Sequence, residues 1–341
     1  MSELGGRTLD WVDGAILMVD QTKLPTSVEM LRITTVSDLV DAIRRLSVRG
    51  APAIGVAGAF GVALAANANG VGTQGFEADV ESIRSARPTA VNLAKMVDRV
   101  VCVSGAGPEA VLAEAMAVRN EELLASVNMG ERGADLMAGL AGGSNSIRVL
   151  TICNTGGLAS VERGTALAVI QTLHERGCLK EAIALETRPL LQGARLTAWE
   201  LQQMAAPFRL AVDSAGPHLI SRGFADVVLA GADRIAANGD TANKIGTFSL
   251  ALAARHSGVP FVIVAPESTI DTATACGGDI QIENRGDHEV ACFGGVPTAP
   301  EGTRTINPAF DVTPSNLITA IVTDTRVVRL DRGETLDTVR S

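Results

Sequence analysis

The sequence predicts an α/β protein in which a parallel-sheet domain follows a smaller, mainly helical N-terminal domain. Apolar residues at spacings of three and four recur through the first third of the chain, which is typical of helices. From residue 145 onward, short apolar strands alternate with helices, which favours a parallel sheet covered on both faces. The 341 residues are enough for two domains, and we place these at residues 1–125 and 126–341.

The N-terminal part is predicted to be helical after a short strand at residues 15–19. The apolar spacing predicts helices at residues 36–46, 51–66, 76–85, 90–103 and 108–128, the first with Ser37 as its N-cap. Residues 51–66 are apolar throughout but fewer than the roughly 18 residues that a membrane span requires. We therefore expect a buried core helix there and no membrane-spanning segment.

The later part is predicted to contain five strands, each followed by a polar or glycine-containing turn. The strands are expected at residues 146–153, 181–185, 208–212, 226–230 and 260–265, and helices at 158–176, 197–204 and 245–256. Because ligands bind at the carboxyl ends of strands in such sheets, these turns are the expected site.

Composition and charge indicate a soluble enzyme of the cytoplasm. The net charge of −9 argues against nucleic acid or an anionic membrane as the main partner, although local arginines can still bind a small anion. The five cysteines are scattered and never spaced as CxxC, which is typical of reduced thiols. The N-terminus carries acidic residues and lacks the apolar stretch that a signal peptide needs.

Cys153 and Asp233 are the candidate catalytic residues, because each follows a predicted strand. Cys153 precedes a glycine-containing turn that is expected to open a helix, whose N–H groups would stabilise a thiolate or a bound anion. The alternative is a buried cysteine that acts as a small apolar residue. Asp233 is expected to be desolvated and so suited to acid–base work. The alternative is an ion pair with Arg234 or a cap on the turn.

Polar residues beside glycine or proline recur along the chain and are candidates for binding an anionic substrate. They are Arg49, Arg87, Gln192, Arg195, Asn243 and Lys244. The last two lie in a loop at residues 238–247, which is also expected to present free N–H groups to a ligand. The alternative is a set of solvated side chains and an ordinary helix cap, which becomes less favoured as the number of such segments grows.

The sequence lacks the common cofactor and metal motifs. The glycines at residues 55–61 follow no predicted strand and lack GxGxxG spacing, and the loop at residues 238–247 lacks the spacing of a Walker loop. The four histidines are isolated, without HExxH or another metal-binding spacing, and there is no GxSxG elbow. We expect no cofactor and no metal.

Seven segments of the chain together resemble the methylthioribose-1-phosphate isomerase family, which shares its fold with the alpha, beta and delta subunits of translation initiation factor 2B. They are residues 49–55 (RGAPAIG), 87–92 (RPTAVN), 153–156 (CNTG), 186–189 (ETRP), 192–201 (QGARLTAWEL), 231–247 (GADRIAANGDTANKIGT) and 307–314 (NPAFDVTP). They occur in the family's order, and the resemblance extends from about residue 20 to residue 328.

The resemblance implies an aldose–ketose isomerase that converts methylthioribose 1-phosphate, a small phosphosugar, to methylthioribulose 1-phosphate in methionine salvage. It implies a Rossmann-like second domain, a homodimer, and Cys153 and Asp233 as the catalytic pair. The substrate-binding positions that it implies are Arg49, Gly50, Ala51, Arg87, Gln192, Asn243 and Lys244.

The chain departs from the family's usual pattern at residues 161–163, 215–217 and 280–285. These departures leave the C5 substituent open, so an isomerase of 5-deoxyribose 1-phosphate or ribose 1,5-bisphosphate is one alternative. Another is a non-catalytic subunit like those of the initiation factor, which does not need the catalytic pair that this chain keeps. A nicotinamide dehydrogenase is the weakest alternative.

Overall fold

The computed structural model describes residues 4–87, 91–140 and 145–337. The backbone forms two compact units, Met1–Asn128 with Asn154–Ala168 and Met129–Cys153 with Val169–Ser341. The prediction of an α/β protein with a mainly helical N-terminal part is confirmed.

The first unit combines a three-stranded antiparallel sheet with helices. Its strands are β1 (Leu9–Val12), β2 (Ala15–Val19) and β3 (Met30–Ile33), paired in that order. Its helices are α1 (Val36–Arg44), α2 (Ala51–Asn69), α3 (Gln74–Arg84), α4 (Val91–Val101) and the first part of α5 (Pro108–Leu140).

Helix α2 lies at the core of the first unit. Residues 53–66 are buried on every side, as expected of a helix that is apolar all round. Gly58 allows α4 to approach, because an added Cβ would lie 2.5 Å from the Leu93 side chain. With 19 residues, α2 is long and apolar enough to cross a membrane, so its predicted length was too short. It is mostly buried within the protein, which confirms the prediction of a core helix.

The second unit contains a seven-stranded sheet and two smaller sheets. Its strands are β4 (Ile147–Thr151), β5 (Leu179–Leu185), β6 (Phe208–Ala211), β7 (Val227–Ala230), β8 (Arg234–Ala236), β9 (Thr241–Lys244), β10 (Phe261–Val264), β11 (Ile270–Asp271), β12 (Cys292–Phe293), β13 (Val296–Pro297), β14 (Phe310–Thr313), β15 (Ala320–Val322) and β16 (Val327–Val328). The helices after α5 are α6 (Ala166–Glu175), α7 (Ala198–Gln203), α8 (Gly216–Ser221), α9 (Thr247–Ser257) and α10 (His288–Ala291).

The large sheet has the strand order β16-β15-β10-β7-β4-β5-β6 and is parallel except for β16. Every residue of β7 and β10 is buried, which explains their uninterrupted apolar sequences. The five predicted strands are confirmed as β4, β5, β6, β7 and β10. A four-stranded sheet has the order β11-β8-β9-β14, in which β9 is antiparallel to both β8 and β14.

The prediction that a helix opens directly after Cys153 is wrong. Residues 154–165 form a loop with a 3₁₀ turn at Gly157–Ala159, and α6 begins only at Ala166. The loop is tied to the N-terminal strands of the first unit. The Thr8 N–H donates to the Val161 carbonyl at 2.7 Å, and Gln21 Nε2 donates to the Leu158 carbonyl at 2.7 Å. These long-range bonds override the local helical pattern.

Two further helix boundaries differ from the prediction. Helix α1 is capped by Thr35 and not by Ser37, since Thr35 Oγ1 accepts the Asp38 N–H at 3.1 Å and donates to the Asp38 carboxylate at 2.7 Å. Helix α5 continues to Leu140, beyond the predicted end at residue 128.

Candidate active site

Cys153 and Asp233 follow neighbouring strands of the large sheet, at the side where the carboxyl ends of its parallel strands lie. Strands β4 and β7 are parallel partners, with Thr151 opposite Leu229. Cys153 comes two residues after Thr151, and Asp233 comes four residues after Leu229. The carboxyl ends of adjacent strands therefore carry both candidate catalytic side chains, where ligands bind in open α/β sheets.

The backbone of Cys153 is held on both sides by threonine hydroxyls. Its N–H donates to Thr187 Oγ1 at 2.8 Å, and its carbonyl accepts from Thr197 Oγ1 at 2.7 Å. Both threonines are completely buried. Cys153 has a φ of +69°, a left-handed conformation that is costly for a residue other than glycine. Such strain persists where the surroundings enforce it, and it concentrates at functional sites.

The Cys153 side chain faces a polar neighbour. Gln192 Nε2 donates to the Cys153 sulfur at 3.4 Å. Gln192 is completely buried, and its Oε1 accepts no hydrogen bond from the described residues. Leaving a buried acceptor unpaired costs about 1–3 kcal/mol, so this oxygen is placed to accept from a ligand. Cys153 itself is only partly buried, which argues against the alternative of a core cysteine.

Gly193 allows Gln192 to reach the end of β4. An added Cβ at Gly193 would lie 1.7 Å from the Leu185 carbonyl oxygen at the end of β5, so only glycine fits. The turn at Gly193–Thr197 is π-helical, a geometry that often occurs at functional sites. Close packing of this turn on β5 fixes the amide beside the thiol.

Asp213 stabilises the loop that carries Thr187. Its carboxylate accepts the N–H groups of Thr187 and Arg188, each at 2.7 Å. Thr187 in turn accepts the Cys153 N–H. Asp213, which follows β6, therefore helps to fix Cys153, which follows β4, through the loop after β5.

Asp233 is exposed, so the prediction that it is desolvated is wrong. It lies where β7 leads into β8, and its N–H donates to the Ala242 carbonyl at 2.9 Å. This bond extends the β8–β9 ladder and fixes the backbone, while the side chain remains accessible. The neighbouring Arg234 forms an ion pair with Asp271 at 3.6 Å.

Asn243 and Lys244 are buried at the end of β9. Asn243 Nδ2 donates to Thr247 Oγ1 at 2.9 Å. Lys244 Nζ donates to the Ala309 carbonyl at 2.8 Å and lies 4.5 Å from the centre of the Phe310 ring. A buried ammonium is costly unless polar or charged groups compensate it, so these contacts hold Lys244 in one place.

The prediction that residues 238–247 offer free N–H groups is wrong at several positions, among them Ile245 and Gly246. The Ile245 N–H donates to the Ala309 carbonyl at 3.2 Å. The N–H groups of Gly246 and Phe248 donate to the Asp311 carboxylate at 2.7 and 3.1 Å. A carboxylate from β14 therefore occupies the start of α9, where N–H groups were expected to be free for a ligand.

Asp311 was not identified by sequence reasoning as a residue of the site. Burial raises the pKa of Asp311 to about 6, against the opposing effects of the Gly246 and Phe248 N–H groups and the Lys244 charge. The only signal in the sequence was its place in the segment at residues 307–314, which carried no assigned role.

Arg195 lies in the turn at Gly193–Thr197 of the second unit, where its Nη1 donates to the Leu190 carbonyl at 3.5 Å. The other candidates lie in the first unit. Gly50 has a φ of +92°, and an added Cβ would lie 2.2 Å from the Ala159 carbonyl oxygen in the loop that follows Cys153. Ala51 is the first residue of α2. Arg49 and Arg87 are partly buried, and Arg87 is the last described residue before the gap at residues 88–90. The first residue of the helix predicted at residues 90–103 lies outside the described residues.

Among residues 4–87, 91–140 and 145–337, no group of three or more histidine, cysteine, aspartate or glutamate side chains could hold a metal ion.

The chain belongs to the initiation factor 2 subunit family, whose model matches residues 47–329. A methylthioribose-1-phosphate isomerase of Xanthomonas oryzae pv. oryzae is 49% identical over 94% of this chain and 92% of its own length. A 5-deoxyribose 1-phosphate isomerase of Moorella thermoacetica is 47% identical over 94% of this chain and 93% of its own length. A probable bifunctional methylthioribose-1-phosphate isomerase/methylthioribulose-1-phosphate dehydratase of Nocardia farcinica is 49% identical over 96% of this chain, which spans 60% of that protein.

Two solved structures share the fold at high similarity. The 5-methylthioribose 1-phosphate isomerase of Pyrococcus horikoshii OT3 superposes with a TM-score of 0.88 and 39% identity, over 95% of this chain and 92% of that one. The translation initiation factor eIF-2B, subunit delta, from A. fulgidus superposes with a TM-score of 0.81 and 38% identity, over 95% of this chain and 96% of that one.

Proposed function

We propose that the protein is an aldose–ketose isomerase that converts 5-methylthioribose 1-phosphate to 5-methylthioribulose 1-phosphate in methionine salvage. One observation carries the proposal: the thiol of Cys153 accepts a buried amide donor, beside the strand that leads to Asp233. Relatives that are 49% and 46% identical over nearly the whole chain are named for this activity. The reaction needs no cofactor, because it redistributes hydrogens within one molecule.

The chemistry sets two tasks for the site. The sugar is locked as a ring, because its anomeric oxygen carries the phosphate. Opening the ring breaks the bond between C1 and the ring oxygen, which takes up a proton. The C2 hydroxyl loses a proton as it becomes a ketone, and one hydrogen moves from C2 to C1. A single exposed acid–base group can serve both oxygens, and we assign this task to Asp233.

Cys153 is assigned to the carbon centre. In a route through an enediol, its thiolate takes the C2 proton and returns it to C1. In a hydride-shift route, the thiolate stabilises the positive charge that develops at C1. In both routes the Gln192 amide donates to the sulfur and holds it in place. Deuterium from D₂O at product C1 would rule out the hydride shift, because a hydride that moves directly from C2 to C1 does not exchange with solvent.

The remaining candidates bind the substrate in this proposal. Arg49, with Gly50 and Ala51 at the start of α2, and Arg87 hold the phosphate. Gln192, Asn243 and Lys244 contact the sugar. The polar atom of this set that most clearly calls for a ligand is Gln192 Oε1, which accepts nothing from the described residues.

A second candidate function is the isomerisation of 5-deoxyribose 1-phosphate. It is favoured by the Moorella thermoacetica relative, which is as similar as those named for the methylthio substrate. Purified protein incubated with 5-methylthio, 5-deoxy and 5-phospho forms of ribose 1-phosphate distinguishes these functions. Absence of turnover with all three would favour the subunit role that the A. fulgidus structure is named for. We further propose a cytoplasmic homodimer, which size measurement in solution tests.

A further inference from the structure

The segment at residues 307–314 contacts the residues proposed to bind the sugar. Strands β9 and β14 are antiparallel partners, with Asn243 opposite Asp311 and Lys244 opposite Phe310. The segment that contains β14 has no assigned role, whereas β9 carries Asn243 and Lys244, which are proposed to bind the sugar.

Three consecutive residues, Ala309 to Asp311, contact Lys244 or the residues that follow it. The Ala309 carbonyl accepts both the Ile245 N–H and Lys244 Nζ. The Phe310 ring lies under the Lys244 ammonium. The Asp311 carboxylate accepts two N–H groups at the start of α9. The end of β9 and the beginning of α9 are thus fixed by one short segment more than 60 residues away in the chain.

Charge favours this arrangement. A carboxylate at a helix N-terminus is favourable because the first N–H groups carry partial positive charge. Asp311 also places a negative charge near the buried Lys244, and the two attract. The same charge makes the start of α9 unsuitable for a phosphate, since two anions in one place repel. The loop can therefore serve the substrate only through its side chains.

We infer that Asp311 is a positioning residue that holds Asn243 and Lys244 in place for the substrate. The inference rests on the proposed function, in which Asn243 and Lys244 contact the sugar. Asp311 acts through the start of α9 and the β9–β14 pair, and it does not touch the substrate.

Asp240 provides a matched control. It precedes β9 at the other end of the same strand pair, and its carboxylate accepts the N–H groups of Ser315 at 2.8 Å and Gly277 at 3.0 Å. Asp240→Asn and Asp311→Asn therefore remove the same charge from the same kind of contact. Only Asp311 bonds to the turn that follows Asn243 and Lys244.

Steady-state kinetics separate positioning from general stability. Displacing a binding group by about 1 Å can cost about 10²-fold in rate, so we expect Asp311→Ala to lower kcat/KM by about 10- to 100-fold. Asp311→Asn keeps one acceptor and should lose less. Most of the loss should appear in KM, while Asp240→Asn keeps KM within about twofold. In a Lys244→Gln background, Asp311→Asn should add little, because the two act as one unit. Equal KM changes in the two aspartate variants, or additive effects, would overturn the inference.

A second measurement needs no activity and so separates this inference from the proposed function. Hydrogen–deuterium exchange of the full-length protein should accelerate at residues 243–248 in Asp311→Asn. In Asp240→Asn it should accelerate around Gly277 and Ser315 instead. If wild type turns over none of the sugar phosphates, the function fails, and exchange alone decides whether Asp311 holds the loop. Unchanged exchange at residues 243–248 would overturn the inference.

Discussion

The buried side-chain amide of Gln192 donates a hydrogen bond to the sulfur of Cys153, with an N···S distance of 3.4 Å. Gly193 makes this contact possible, because no larger residue could pack against the Leu185 carbonyl. The amide oxygen, which accepts no bond from the described residues, points to a polar ligand at the same place. One side chain thus joins the thiol and the proposed substrate.

Gln192→Glu should slow the chemistry at Cys153. It replaces a donor with a carboxylate of the same size, which repels a thiolate. Removing one preorganised donor commonly costs about 10²–10³-fold in kcat, and we expect a loss in that range. Alkylation of Cys153 by iodoacetamide, followed by peptide mass spectrometry, should also become slower. The exposed Cys102 serves as the internal reference in the same samples.

The control for this variant is Gln202→Glu on the exposed end of α7, which adds the same charge to the surface. It should leave both the alkylation rate of Cys153 and the turnover unchanged. Equal alkylation of Cys153 in wild type and Gln192→Glu would show that the amide does not act on the thiol.

Cys153→Ser and Asp233→Asn should each fold normally and lose most turnover. A serine hydroxyl is far less acidic than a thiol, and an asparagine cannot exchange a proton with the sugar oxygens. Acid–base groups contribute about 10²–10⁴-fold, and the kcat of each variant measures this loss. Matched controls are Cys178→Ser, which is also partly buried, and Asp279→Asn, which is also exposed. Near-wild-type turnover in either site variant would remove that residue from the mechanism.

Arg87→Ala should weaken binding of the phosphate with little change in kcat. The guanidinium is proposed to contact a group that does not react, so its loss affects the bound substrate and the transition state alike. We expect KM and the inhibition constant of inorganic phosphate to rise together. Arg84→Ala is the control, because Arg84 is exposed and pairs with Asp98 at 2.8 Å. A phosphate affinity that is the same in both variants would show that Arg87 does not bind the phosphate.

Two aspartates should affect stability in opposite directions as pH changes. Burial raises the pKa of Asp311 to about 6, above its ordinary value of 3.8. Its protonated form therefore stabilises the fold at acid pH, and this contribution is lost as pH rises through about 6. Asp311→Asn should become more stable relative to wild type between pH 4 and pH 7, by up to about 3 kcal/mol.

The pKa of Asp240 is shifted in the opposite direction, below its ordinary value. Burial acts to raise the pKa of Asp240, but hydrogen bonds from Ser315, Asn238 and Gly277 outweigh it and hold the pKa below its ordinary value. Its contribution is present at neutral pH and is lost on acidification. Asp240→Asn should therefore lose stability relative to wild type at pH 7 and approach it at low pH. Urea unfolding at a series of pH values measures both trends, and parallel curves for the two variants would contradict them.

Local sequence was sufficient for five of the seven strands of the large sheet, all but β15 and β16, and for the position of the catalytic candidates. The strands that end near Cys153 and Asp233 are short, apolar and buried, so their ends could be predicted without knowing their partners. Gln192 was identified as a polar residue beside glycine and again from the resemblance of segments. Its contact with the thiol, however, depends on how the turn at residues 193–197 packs on β5.

Features that depend on distant partners could not be predicted from local pattern. The loop after Cys153 is held out of a helix by Thr8 and Gln21, which lie more than 130 residues earlier. The start of α9 is occupied by Asp311, 65 residues later in the chain. The backbone of Asp233 is likewise fixed by its bond to the Ala242 carbonyl of β9, which no strand pattern at residue 233 indicates.

We infer that this chain isomerises a sugar 1-phosphate with Cys153 and Asp233. The most direct measurement follows the C1 and C2 signals of 5-methylthioribose 1-phosphate by ¹³C NMR, with purified wild type, Cys153→Ser and Asp233→Asn. We expect a ketone signal at C2 to replace the anomeric signal at C1 with wild type alone, without added cofactor. No ketone with wild type, from this substrate or its 5-deoxy and 5-phospho analogues, would contradict it.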